Sequence, residues 1–245
     1  MAETLEHEVK IAANLARVEE LIAAACARVG RARREVTLVA VTKQRSADQI
    51  AAAWRCGVRH LGENRVEEAE LKAPQLASRW EAEPPAWHLI GHLQSRKART
   101  AVELFDTIES VDSLRLATRL DRFAAEAGRR LPVLLEVNVS GEETKYGWAA
   151  TRTAEIEALV EDARRLAELT SLDVRGLMTM APLVTDAEQT RPVFRAVREL
   201  RDLLRREASF TTWDELSMGM TNDYPVAIEE GATLVRIGRA IFEGQ

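Results

Sequence analysis

Val36-Thr37-Leu38-Val39-Ala40-Val41-Thr42-Lys43 is the stretch on which the fold turns. It is rich in β-branched residues and reads as a buried strand closed by a lysine. An ammonium group is costly to bury without a partner. Either the strand ends there and Lys43 snorkels out to solvent, or the amine is put to use. A lysine in a desolvated pocket loses its proton more readily and becomes a nucleophile toward carbonyls.

Working outward, the same kind of run recurs. Strands are predicted at 36–42, 58–61, 87–90, 107–111, 132–139, 172–178, 213–217 and 233–237. Helices are predicted between them at 46–56, 63–78, 95–104, 113–127, 150–168, 187–208 and 222–230. Their stripes are regular: Leu114, Ala117, Leu120 and Ala124 share one face, as do Phe194, Val197, Leu200 and Leu204. A further amphipathic helix over 3–29, carrying Ile11, Leu15, Val18 and Ile22 and capped by Gly30, precedes them all.

Strand then helix, repeated, predicts parallel strands joined by crossover helices. Eight strands in 245 residues fit a closed (β/α)8 TIM barrel, an α/β fold of roughly 250 residues. An open sheet would leave two edges and carry fewer strands at this length. The loose stretches Glu81–Pro85 and Ala181–Asp186 are too short for linkers, so residues 1–245 are expected to form one domain.

Composition removes several function classes. The chain is 46% hydrophobic and 30% charged with a net charge of −5, which suggests neither a nucleic-acid nor an anionic-membrane partner. The start, Met1-Ala2-Glu3-Thr4-Leu5-Glu6, lacks a signal-peptide layout, and no apolar run reaches membrane-span length. A cytoplasmic protein is expected. Cys26 and Cys56 read as reduced, packing thiols. His88 and His92 flank a strand end rather than sharing a helix face, so no metal site is expected.

In a TIM barrel the reactive groups gather at the carboxyl ends of the strands. Strand two runs into Gly62-Glu63-Asn64, where Glu63 and Asn64 could cap a helix or touch a ligand. Strand three carries Trp87, His88, His92 and Gln94. His88 is expected either inside the barrel against a flat ring or as a hydrogen-bonded core histidine. Strand five ends in the polar loop from Asn138 to Gly147, and strand six in Met178-Thr179-Met180, where methionine reads first as core filler. The last two ends are the sharpest. Leu216-Ser217-Met218-Gly219 and Val235-Arg236-Ile237-Gly238-Arg239 follow the strands whose loops commonly cradle phosphate. A nucleophilic lysine and a phosphate cradle imply a ligand with both a carbonyl and a phosphate. Pyridoxal 5′-phosphate fits, bound to Lys43 as an aldimine, and so does a sugar phosphate on a Schiff-base aldolase.

The motifs Ala40-Val41-Thr42-Lys43, Leu61-Gly62-Glu63-Asn64, Trp87-His88-Leu89-Ile90-Gly91, Gly176-Leu177-Met178, Leu216-Ser217-Met218-Gly219-Met220 and Val235-Arg236-Ile237-Gly238 span nearly the whole chain. The sequence therefore resembles the YggS/PROSC family, the pyridoxal phosphate homeostasis proteins, single-barrel relatives of the alanine racemase N-terminal domain (fold type III). The resemblance implies that Lys43 holds the cofactor. It implies that Ser217, the backbone near Met218 and Gly219, and the amides of Gly238 and Arg239 hold the phosphate. Arg236 would face the pyridine nitrogen, and Asn64, His88 and Met178 would line the pocket. Arg239 departs from the family's usual small residue, Arg96 from Asn, and Thr221-Asn222 from Ser-Asp.

Alanine racemases use a second domain and a tyrosine base. This chain ends shortly after strand eight, and its tyrosines are Tyr146 and Tyr224. Racemisation needs acid–base groups on both faces of the substrate. The expectation is a monomeric carrier of the cofactor without robust turnover, with pyridoxal-phosphate-dependent apo-enzymes as candidate partners. A weak amino-acid racemase or lyase is the alternative.

Overall fold

The structure is a computed structural model describing residues 2–80, 83–142, 146–208 and 213–244, with side chains from His7 onward. Glu143, Thr144 and Lys145 of the loop expected after strand five, and Glu81 and Ala82, lie outside the described residues.

Eight parallel strands close into a barrel. They are β1 (Thr37–Val41), β2 (His60–Glu63), β3 (Ala86–Leu89), β4 (Thr107–Val111), β5 (Leu131–Asn138), β6 (Leu172–Met178), β7 (Glu215–Ser217) and β8 (Leu234–Ile237). Two pairings make the closure visible: Thr37 opposite Leu234 joins β1 to β8, and Ile108 opposite Val133 joins β4 to β5. Closure removes the free edges that an open sheet would expose. A two-residue strand, Trp148–Ala149, lies beside the end of β5.

The helices are α1 (Ala2–Arg28), α2 (Ala47–Arg55), α3 (Val66–Leu76), α4 (Ala98–Leu104), α5 (Leu114–Glu126), α6 (Thr153–Leu166), α7 (Arg191–Glu207), α8 (Tyr224–Glu229) and α9 (Arg239–Phe242). Local chemistry starts them where they start. Ser46 caps α2 by accepting from the Gln49 amide, while the Gln49 side chain accepts from the Ser46 amide. The α1 stripe Ile11, Leu15, Val18 and Ile22 is buried, and α1 packs against α2, α8 and α9. Asn14 on α1 donates to the Ile241 carbonyl of α9 at 2.9 Å. No helix among the described residues is long and apolar enough to cross a membrane.

The element map differs from expectation mainly at ends. The predicted helix over 63–78 begins only at Val66, because Glu63 continues β2 opposite Leu89 with its carboxylate fully buried. Glu63 therefore caps nothing. The helix predicted over 95–104 opens as a 3-10 turn, Ser95–Lys97, before α4. The four-residue α9 was too short to show a period in the sequence.

The barrel's centre is polar as well as apolar. His88, Glu109, Glu136, Ser217 and Arg236 are all buried, from five different strands.

Candidate functional site

Lys43 stands in the turn just past β1, with its side chain exposed. The desolvated lysine considered from sequence is thus not what the fold presents. Instead the backbone on either side is held. Lys72 of α3 donates to the Thr42 carbonyl at 2.7 Å, to Glu63 at 2.7 Å and to Glu68 at 3.0 Å. Glu68 in turn accepts from the Gln44 amide at 3.0 Å, and the Thr42 hydroxyl donates to Glu63 at 2.6 Å. Gln44 itself has φ 59°, a left-handed conformation that a non-glycine residue adopts at some cost. The clamp sets where the Lys43 side chain leaves the rim. Burial pushes the Glu63 carboxyl above its ordinary pKa, and hydrogen bonds from Lys72 and Thr42 pull against it.

A cavity of about 300 Å³ opens at this rim. Lys43, Arg236, Gly238 and Arg239 line it together with Thr221 and Asn222, and the segment 182–185 forms another wall. Gly238 must be small: a Cβ there would sit 3.2 Å from both the Cβ and the carbonyl oxygen of Val41. Across the cavity, Asp223 accepts from the Met220 amide at 2.6 Å and so shapes the loop after β7. Arg239 donates to Asn222 at 3.3 Å, tying the loops after β7 and β8 together.

Behind the cavity the guanidinium of Arg236 is held inside the barrel. It donates to the Ser217 hydroxyl at 2.6 Å and to the Thr179 carbonyl at 2.8 Å. Burial pushes its pKa down, and the carboxylates of Glu109, Glu136 and Asp223 oppose that. Ser217 passes the contact on, donating to Glu109 at 2.5 Å. Glu109 also receives His88 at 2.8 Å, and the other ring nitrogen of His88 lies 3.0 Å from His60. Burial alone would raise the Glu109 pKa, but these donors and the Arg236 charge bring it below the ordinary carboxylate value.

Residues 11–245 match the family described as alanine racemase, N-terminal domain. The pyridoxal phosphate homeostasis protein of Aquifex aeolicus (strain VF5) is 41% identical to this chain over 93% of it and 95% of the relative. The chain belongs to the alanine racemase N-terminal domain family, among its pyridoxal phosphate homeostasis proteins. PipY of Synechococcus elongatus PCC7942, solved with PLP bound, superposes on this homeostasis-family chain with a TM-score of 0.81. It is 39% identical, across 95% of this chain and 99% of PipY. Alanine racemase of Clostridium difficile 630 is 14% identical with a TM-score of 0.64 and shares the fold.

The residues expected from sequence fall into three places in this homeostasis-family barrel. Lys43, Arg236, Gly238 and Arg239 meet at the cavity. Ser217 and His88 lie behind it in the buried chain, and the Ser217 hydroxyl is engaged by Glu109 and Arg236. Met178, opposite Ser217 in the sheet, is fully buried. The Met218 amide is taken by the Leu234 carbonyl at 3.1 Å. Gly219, at φ 94°, is kept small by α8, since a Cβ would come 2.6 Å from the Ala227 Cβ. Asn64 lies on a neighbouring rim cavity with Arg96 and His92. Sequence reasoning missed the clamp residues Lys72 and Glu68, although their i,i+4 spacing was legible. It also missed Glu109 and Glu136, whose alternation in a buried strand carries no sign of which face meets the axis.

Proposed function

We propose that the whole chain acts as a single pyridoxal 5′-phosphate-binding domain that holds the cofactor through Lys43 and serves its intracellular homeostasis. The observation that carries this reading is the convergence of Lys43, Arg236, Gly238 and Arg239 on one cavity. Its volume of about 300 Å³ falls at the lower end of small-ligand pockets, about 300 to 1,000 Å³. The amides of Arg239 and Ala240 open α9, where helix N–H groups lack partners within the helix, and they suit an anion beside Thr221.

When bound, the cofactor supplies an electrophilic carbonyl and an electron-withdrawing ring. Lys43 would bind it covalently, and Gly238, Arg239, Thr221 and Asn222 would hold its phosphate. Arg236 would meet the ring nitrogen with a fixed positive charge, which discourages a proton there and weakens the ring as an electron sink. Ser217 acts by holding Arg236. This arrangement favours keeping the cofactor over reacting through it. A cytoplasmic monomer that passes the cofactor to apo-enzymes is the physiological form of the proposal.

Reconstitution tests it. Protein mixed with pyridoxal phosphate should gain a long-wavelength absorbance band that Lys43→Ala removes while its circular dichroism stays unchanged. A band that survives Lys43→Ala refutes the assignment. The loaded protein should form no D-enantiomer or keto acid from L-amino acids beyond the rate of free cofactor, and clear turnover would make it an enzyme instead.

A further inference from the structure

His60 to Arg236 is an unbroken polar path along the barrel. Its steps are His60 Nδ1 to His88 Nε2 at 3.0 Å, His88 Nδ1 to Glu109 at 2.8 Å, Glu109 to Ser217 at 2.5 Å and Ser217 to Arg236 at 2.6 Å. Its two ends face different solvent. Arg236 lines the cavity at the carboxyl end of the barrel. His60 is half-buried at the start of β2, where it lines a separate cavity of about 230 Å³ together with Glu19, Arg33 and Cys56. Each interior member is buried, so water does not short-circuit the path.

With both rings neutral, the hydrogens have one consistent arrangement. A carboxylate only accepts, so His88 carries its proton on Nδ1 and offers the Nε2 lone pair to the Nδ1–H of His60. The Ser217 O–H points to Glu109 and its lone pair receives Arg236. Glu109 is thus the counter-charge of a buried guanidinium, acting through one hydroxyl.

We infer that Glu109 is the positioning residue for Arg236, and that the path lets protonation of His60 at the amino end of the barrel put a positive charge against the carboxylate that holds Arg236 at the carboxyl end. The transfer balances. Solvent gives a proton to His60 Nε2, and the Nδ1 proton of His60 passes to His88 Nε2. His60 ends neutral in the opposite tautomer, and His88 ends as a cation hydrogen-bonded to the Glu109 carboxylate. Other charged groups act on the same members. Glu136 on β5 and Asp223 before α8 act on Arg236, Glu215 on β7 is coupled to Glu109, and Asp106 acts on His60. None of these breaks the path, because none is hydrogen-bonded within it.

The first test needs no cofactor. In ligand-free protein with ¹⁵N-labelled His and Arg side chains, the Arg236 Nη signals should be resolved, because the guanidinium cannot turn. The Arg236 Nε shift should follow the same midpoint as His60 on titration. Ser217→Ala should abolish that response, Ser217→Thr should restore it, and His60→Gln should remove it while leaving the Nη signals resolved. Glu109→Gln should merge the Nη signals. Should that variant not fold, the His60 and Ser217 variants decide alone. Arg236 signals that ignore the His60 titration in the unmodified protein overturn the inference.

The second test rests on the proposed cofactor. The bound cofactor's band should shift with pH at the His60 midpoint, and His60→Gln should flatten it. A flat band in unmodified loaded protein overturns the reach of the path to the cofactor. Failure to load at all counts against the proposed function and leaves the first test standing.

Discussion

Lys72 shows how much of a site can rest on a residue that never touches the ligand. Its ammonium joins the Thr42 carbonyl, Glu63 and Glu68, so it holds the turn that carries Lys43. Removing one partner of a buried pair strands the other charge. Lys72→Met is expected to lower unfolding free energy by about 3 kcal/mol, because Glu63 then lies buried and unpaired. Urea denaturation measures this, and Lys72→Arg should recover part of it. An unchanged midpoint would mean that Glu63 simply takes up a proton. Lys43 itself was legible in the sequence as a lysine at a strand's end. Its exposure was not, because exposure depends on the turn that Gln44 makes with φ 59°.

At the scale of elements, the strand–helix alternation was enough to read the barrel. Buried parallel strands are apolar runs, and amphipathic helices repeat at their own period, so β4 and β6 were read to the residue. What stayed hidden is the placement of small elements and of side chains inside the barrel. The loop after β7 illustrates the point. Gly219 read as a phosphate contact, and its φ of 94° and the nearness of Ala227 and Tyr224 give it a packing reason to be glycine that the sequence did not show. Gly219→Ala is expected to cost about 2 kcal/mol through overpacking. It should also loosen cofactor retention by moving Thr221 and Asn222. Thermal melting together with dialysis of the loaded protein checks both effects. Loss of stability with retention intact would place the phosphate elsewhere.

The whole molecule carries a pH signature. Burial, with help from the Asp112 charge and against that of Arg236, raises the pKa of Glu136 to about 7, and its Oε2 finds no hydrogen-bond partner among the described residues. The folded chain therefore holds a proton that the unfolded chain, with its ordinary value of 4.5, releases earlier. Stability from this group is fully present below pH about 4.5 and is lost as pH rises to about 7. The loss amounts to about 3 kcal/mol. Glu136→Gln should flatten this part of the stability profile and raise stability at pH 8, measured by urea titrations across the range. A profile that matches the unmodified protein would show that Glu136 is already ionised in the fold.

The contact between α1 and α9, and the pairing of β1 with β8, join the first and last elements of the barrel. During synthesis β1 emerges before the other strands of the barrel, but its second neighbour, Leu234–Ile237, emerges only after the other seven. Until then the sheet has an open edge at β1 and α1 lacks part of the surface it covers. The nascent barrel is thus an unfinished ring whose weakest period is its translation, when an unpaired strand can meet another chain. A seam made by the first and last strands ties correct folding to synthesis of the whole barrel, so a ribosome that stops short of β8 releases an unclosed barrel that lacks Arg236 and Gly238.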